Sequence, residues 1–166
     1  MATSRAGKDA CDLLDADHRA ARKMFKEYEA LTASRARGAA QKKLDLALQV
    51  CQLLTVHAQL EEEIFYPAVR AAIKDGDLID EATVEHQTQR DLIAQIQAMG
   101  EASPMFDARV RVLGEYVEHH VKEEKSEIFA KARAARKLDL VALREQMEGR
   151  REALMGAAME TGVLST

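Results

Sequence analysis

Apolar residues recur at steps of three and four through nearly the whole chain, and the breaks fall at Gly, Pro or clusters of small polar residues. This spacing predicts helices. The first runs from Asp9 to Thr32, with Leu14, His18, Ala21, Phe25 and Tyr28 on one stripe, and ends at the polar stretch Ala33 to Gly38. The second begins near Gln41 and aligns Leu46, Val50, Leu53, Leu54, His57, Glu61 and Ile64. Pro67, which lacks an N–H, should kink this helix or end its regular part before the Asp75-Gly76 turn. A third, from Leu78 to Met99, aligns Ile79, Ala82, His86, Ile93 and Ile96; Ser103-Pro104 opens a fourth, with Val110, Leu113, Val117, His120, Glu124 and Ile128 on its stripe. A last amphipathic segment, Leu138 to Met159, carries Val141, Met147, Leu154 and Met155 and reads as an extra helix outside the bundle. The expected fold is all-α: an antiparallel up-down-up-down four-helix bundle with an additional C-terminal helix. Its expected parts are a tail at 1–8, the bundle at 9–135, and the C-terminal helix and tail at 136–166.

Composition supports this reading. A chain of 166 residues with 47% hydrophobic and 31% charged residues, eight Gly, two Pro and no Trp fits one helical domain. The formal charge of −4, from 28 acidic and 24 basic residues, lacks the basic excess that nucleic-acid binding requires. No apolar run reaches the roughly 20 residues of a membrane span, and the opening MATSRAGKDACDLLDADH does not resemble a signal peptide. A cytoplasmic location with neither nucleic-acid nor membrane partners is expected. Cys11 and Cys51 form no C-x-x-C pair and are expected to be reduced thiols, Cys51 as a small packing residue.

The chemistry lies in the histidines. Four of the five, His18, His57, His86 and His120, fall on the apolar stripes, one on each main helix. Two carry a carboxylate four residues on, His57 with Glu61 and His120 with Glu124, so each of these helices presents an imidazole and a carboxylate on one face. The order His, then His-x-x-x-Glu, occurs twice, and the neighbourhoods HAQLEEEIFYP and HVKEEKSEIFAK agree. The repeat suggests two pseudo-equivalent helix pairs, each giving two His and one Glu to a shared centre. Carboxylates in an apolar interior need a compensating charge, which divalent cations supply. Nitrogen and oxygen donors without thiolate suit iron or manganese, zinc remains possible, and two carboxylates between two ions can bridge them.

The stretches DADHR, VHAQLEEEIFYPAVR, VEH and VEHHVKEEKSEIF, within residues 10 to 135, resemble the hemerythrin-like HHE cation-binding domains of bacteria. The resemblance implies an antiparallel four-helix bundle holding two non-haem iron ions, oxo- or hydroxo-bridged, with His18, His57, Glu61, His86, His120 and Glu124 as ligands. Oxygen-carrying hemerythrins have a further His one turn after the third-helix His, where this chain has Arg90. Their last helix spaces His and carboxylate five apart, which His119 and Glu124 would fit; His120 is preferred because it continues the apolar stripe and mirrors His57. Tyr116, one turn before His120, could fill a vacant position, although a core or edge aromatic is the simpler role. Glu62, Glu63, Glu123 and Glu127 are expected on solvated faces. Glu85 beside His86 and Asp17 beside His18 are candidates for orienting a ligand imidazole.

For function, the resemblance implies reversible oxygen binding, oxygen or redox sensing, iron storage or sensing, or peroxide decomposition. The missing fifth His argues against a pure carrier, and the absence of a signalling domain in this chain argues against a covalently linked sensor. Two expectations follow: a protein that binds dioxygen or handles iron and oxygen sensing, or an enzyme that disproportionates hydrogen peroxide. Dioxygen or hydrogen peroxide is the expected small-molecule partner, and a monomer or small homo-oligomer the expected state.

Overall fold

A computed structural model describes residues 8–160, so most of the expected tail at 1–8 and residues 161–166 lie outside the described residues. Helix α1 spans Ala10–Thr32. Asp9 caps it reciprocally: its carboxylate accepts from the Asp12 N–H at 2.9 Å, and the Asp12 carboxylate accepts from the Asp9 N–H at 3.0 Å. Gly38, at φ 84°, turns the chain into α2 (Ala39–Leu60) in a conformation that a side chain would strain. A π-helical segment (Glu61–Phe65) and α3 (Tyr66–Ala72) continue α2 as one rod. Helix α4 is Gly76–Ala98. Ser103 opens α5 (Pro104–Glu123) by accepting the Phe106 N–H at 3.1 Å, and a second π-helical segment (Glu124–Phe129) leads into α6 (Ala130–Ala134). Helix α7 is Leu140–Glu160.

Both α1 and α4 pack against α2 and α5, closing a ring of four rods, and no strand occurs among the described residues. The expected all-helical bundle with an added C-terminal helix is therefore what the chain forms. Helix α7 lies outside the ring against α1, α2 and the first π segment. It buries Leu143 and Met147 among Leu14, Leu60 and Phe65.

Pro67 does not end its rod. The chain stays helical to Ala72, and Pro67, which has no N–H to donate, follows directly on the wider π turn. The irregularity lies upstream, in the π segment, and the same irregularity recurs at Glu124–Phe129 with no proline present. Each π turn takes in one extra residue, so a side chain five places after the glutamate, not four, returns to the inner face.

Two apolar clusters fill the bundle. One gathers Leu14, Leu60, Phe65, Val69, Ile128 and Phe129 with α7; the other gathers Tyr28, Val50, Ile96, Phe106, Val110 and Leu113. On every rod a histidine lies at the junction of the two clusters. The polar layer is thus enclosed above and below by close-packed apolar side chains.

Candidate metal centre

The six residues singled out from the sequence meet in that layer, and all are buried, with Glu61 and Glu124 wholly inaccessible. Their donor atoms fall into two groups, His18, His57 and Glu124, and Glu61, His86 and His120, each with its donor atoms within 4.8 Å of one another. Every group draws on more than one rod. Glu61 lies 2.8 Å from His57 Nε2 and 3.3 Å from His86 Nε2. Glu124 lies 3.1 Å from His18 Nε2 and 3.3 Å from His120 Nε2. Each carboxylate therefore touches one histidine of either group, the position a bridging ligand would take.

The donor set fits a pair of cations. His18 Nε2, His57 Nε2, both Glu61 oxygens and Glu124 Oε1 are buried without a hydrogen-bond partner. Leaving such atoms unpaired in an apolar interior is costly, and a cation between them supplies what the protein does not.

The outer nitrogens are held by a second set of carboxylates. Asp17 Oδ2 is 2.9 Å from His57 Nδ1, and Glu85 Oε1 is 3.1 Å from His120 Nδ1. Asp15 and Glu62 stand 3.8 and 3.7 Å from Nδ1 of His18 and His86. Asp17 and Glu85 do face ligand-type imidazoles, but each serves the histidine of the neighbouring rod and not the one beside it in sequence, because adjacent helical residues point about 100° apart. Glu62 departs from its expected solvated place: it is half-buried between His86 and Arg90. Glu63, Glu123 and Glu127 are exposed as expected. Arg90, at the position of the missing histidine, thus pairs with Glu62. Arg151 of α7 pairs with Asp17, which ties the added helix to the centre.

Charge is stabilised here despite burial. Burial disfavours an imidazolium at His57, yet Glu61 and Asp17 outweigh it and lift the ring's pKa to about 10. Burial likewise opposes a charged Asp17, and the hydrogen bond to His57 with the nearby His57 and Arg151 charges still holds its carboxyl below the usual range.

The structure brings His120 into the layer and leaves His119 outside, exposed between Glu85 and Glu123. Tyr116 is 46% exposed on the bundle surface and is not part of the centre. Tyr66 is, and sequence periodicity missed it. Its hydroxyl donates to Glu124 Oε2 at 2.5 Å and lies 3.5 Å from Nε2 of both His86 and His120. Tyr66 stacks on His86 as Phe129 stacks on His18, so the two halves match except for one hydroxyl. An α-helical register places Phe65, four after Glu61, on the inner face; the π turn substitutes Tyr66.

A small void of about 10 Å³, near the size of one water, adjoins all four buried imidazoles. His18, Val117 and Val121 separate it from an open groove of about 760 Å³ between α1 and α5. The Arg22–Glu118 and Arg111–Glu29 pairs span that groove.

A four-rod bundle enclosing two His₂Glu groups defines a helical metal-binding protein. Residues 9–132 match the hemerythrin HHE cation-binding domain, and the chain belongs to that family. Among solved structures it is similar to a hemerythrin HHE cation-binding domain-containing protein from Mycobacterium kansasii, with a TM-score of 0.73 and 22% identity over 92% of this chain and 90% of that one. This likeness is one of fold. A DNA nickase of Nostoc sp. is 40% identical over 85 residues, 51% of this chain. The chain spans only 24% of that relative's length. No described helix is long and apolar enough to cross a membrane.

Proposed function

We propose that the buried layer holds two iron ions, one at His18, His57 and Glu124 and the other at Glu61, His86 and His120, and that the pair binds dioxygen or serves iron and oxygen sensing. The observation that carries this reading is the set of buried, unpartnered donor atoms arranged as two matching His₂Glu groups. Manganese or zinc could use the same donors; iron is favoured by mixed nitrogen and carboxylate ligation and by family membership. Two redox-active ions supply the electrons that exchange with dioxygen or peroxide. The protein's part is to aim four Nε2 atoms inward, fix the imidazoles through Asp17 and Glu85, and exclude bulk water with the two apolar clusters. Tyr66, whose Oη lies 3.5 Å from Nε2 of both His86 and His120, could serve as a further ligand on that side, where oxygen-carrying hemerythrins have the histidine missing here.

The same tyrosine favours a second reading, disproportionation of two hydrogen peroxide molecules to two waters and one dioxygen. A phenol shared between a carboxylate and two imidazoles can pass a proton within the site without drawing on solvent. The nicking activity named for the Nostoc relative is not adopted. That match takes in a minor part of the relative, and the net charge of −4 gives no electrostatic basis for a nucleic-acid partner.

Metal analysis of protein made in iron-supplemented cells tests the centre. The expected result is two irons per chain, falling in His57→Ala and Glu61→Gln variants. Folded protein that takes up no metal on reconstitution would overturn it. On the loaded protein, sustained oxygen evolution from peroxide selects the enzyme; reversible oxygen uptake without turnover selects the binding protein.

A further inference from the structure

The void beside the imidazoles has two polar side chains outside the metal groups: Asp17, whose carboxylate is engaged by His57 and Arg151, and Gln89. Gln89 lies on α4 three residues after His86, so its side chain runs along the same face. It is 6% exposed, lines the void with His18, His57, His86 and His120, and its Nε2 has no hydrogen-bond partner. Much of the remaining wall is aliphatic, including Ala21, Leu53, Leu54 and Val117. A buried amide donor facing a void with no partner of its own is an unmet hydrogen bond that an acceptor occupying the void would satisfy.

We infer that Gln89 is the hydrogen-bond donor to the small exogenous ligand of the centre, a diatomic or triatomic species with a negative or electron-rich far end. This inference rests on the metal-pair reading and goes beyond it by assigning selectivity to a residue outside the donor set. The ligand sits with one end toward the imidazole Nε2 atoms and the other toward the Gln89 amide. The void, about 10 Å³, is near the size of one water, so a diatomic or triatomic ligand enters it only as Val117 or Leu54 gives way. An amide is suited to this place because it donates without carrying charge, and so it does not compete with the cations for the surrounding carboxylates.

The test uses full-length, iron-loaded, oxidised protein with azide and cyanide as probes. Gln89→Leu keeps the bulk and removes the donor; Gln89→Glu keeps the shape and sets an acceptor against the anion. Binding of both probes, followed by absorption titration, is expected to weaken about tenfold in Gln89→Leu, the size of one hydrogen bond, and further in Gln89→Glu. The infrared stretch of bound azide should shift on transfer of the parent protein to D₂O, and that isotope effect should vanish in Gln89→Leu. Unchanged affinity and an unchanged isotope effect, at parental iron content, would overturn the inference while leaving the metal pair standing. Loss of iron from Gln89→Leu would also overturn it, since Gln89 would then hold the cluster together. A parent protein that binds no iron would instead sink the reading beneath it.

Discussion

Tyr66 donates its hydroxyl proton to Glu124 Oε2 at 2.5 Å, reaching from the second rod to a carboxylate of the fourth, and no such bond exists on the other side of the centre, where Phe129 takes the matching place. A single oxygen atom makes the two metal groups chemically unequal. Burial, together with Glu124 and Glu61, holds the phenol's pKa well above its ordinary range.

Tyr66→Phe equalises the halves. The variant is expected to keep two irons per chain, because the six His and Glu donors remain. The visible absorption that a phenolate gives to oxidised iron should disappear. If the band survives in the variant, Tyr66 is not a ligand.

Asp17 and Glu85 hold the outer nitrogens of His57 and His120, and on the proposed metal pair they would act through those rings. Replacing either with its amide removes the negative charge and weakens the hold on ring orientation, and metal affinity should fall about 10- to 100-fold. Competition with a chelator of known affinity measures this. Arg151→Leu, which leaves Asp17 without its partner from α7, should shift affinity in the same direction by less.

Met147 is fully buried between α7 and the bundle. Met147→Ala should cost about 2–5 kcal/mol in chemical denaturation, since the lost side chain leaves a cavity the helices cannot close. A loss under about 1 kcal/mol would mean that α7 collapses into the space or contributes little.

Both thiols are buried, and burial, joined at Cys11 by the Asp9 charge, pushes their pKa from 9.0 up to about 12. The native protein should therefore resist alkylation by iodoacetamide at about pH 8, whereas the unfolded chain reacts. Between 9 and 12 the folded state holds protons that the unfolded state releases, so this contribution to stability is whole below about pH 9 and declines as pH rises toward 12. A Cys11→Ala, Cys51→Ala protein should show a shallower alkaline loss. An equally steep loss would place the cause elsewhere.

The helices and the six buried His and Glu side chains were legible because both depend on local spacing. Apolar residues at helical steps mark the face that must be buried, and His57 with Glu61 or His120 with Glu124 share a face at i and i+4 whatever else the chain does. The choice of His120 over His119 followed from the same stripe, and burial separates the two in that sense. The π segments were not legible, because five-residue spacing leaves no mark in a pattern read at steps of three and four. With them Tyr66 escapes the pattern, which at α-helical spacing from His120 points to the exposed Tyr116 instead.

Sequence alone thus determined the four amphipathic rods, the added helix and the six inward-facing His and Glu side chains, since periodicity dictates which face a helix must hide. Tertiary structure decided which carboxylate steadies which imidazole, where the one phenol of the layer sits, and that Gln89 looks onto a small void beside the imidazoles. Those relations cross between rods, and they are set by the rotation and depth at which the helices pack, quantities that no spacing within one helix contains.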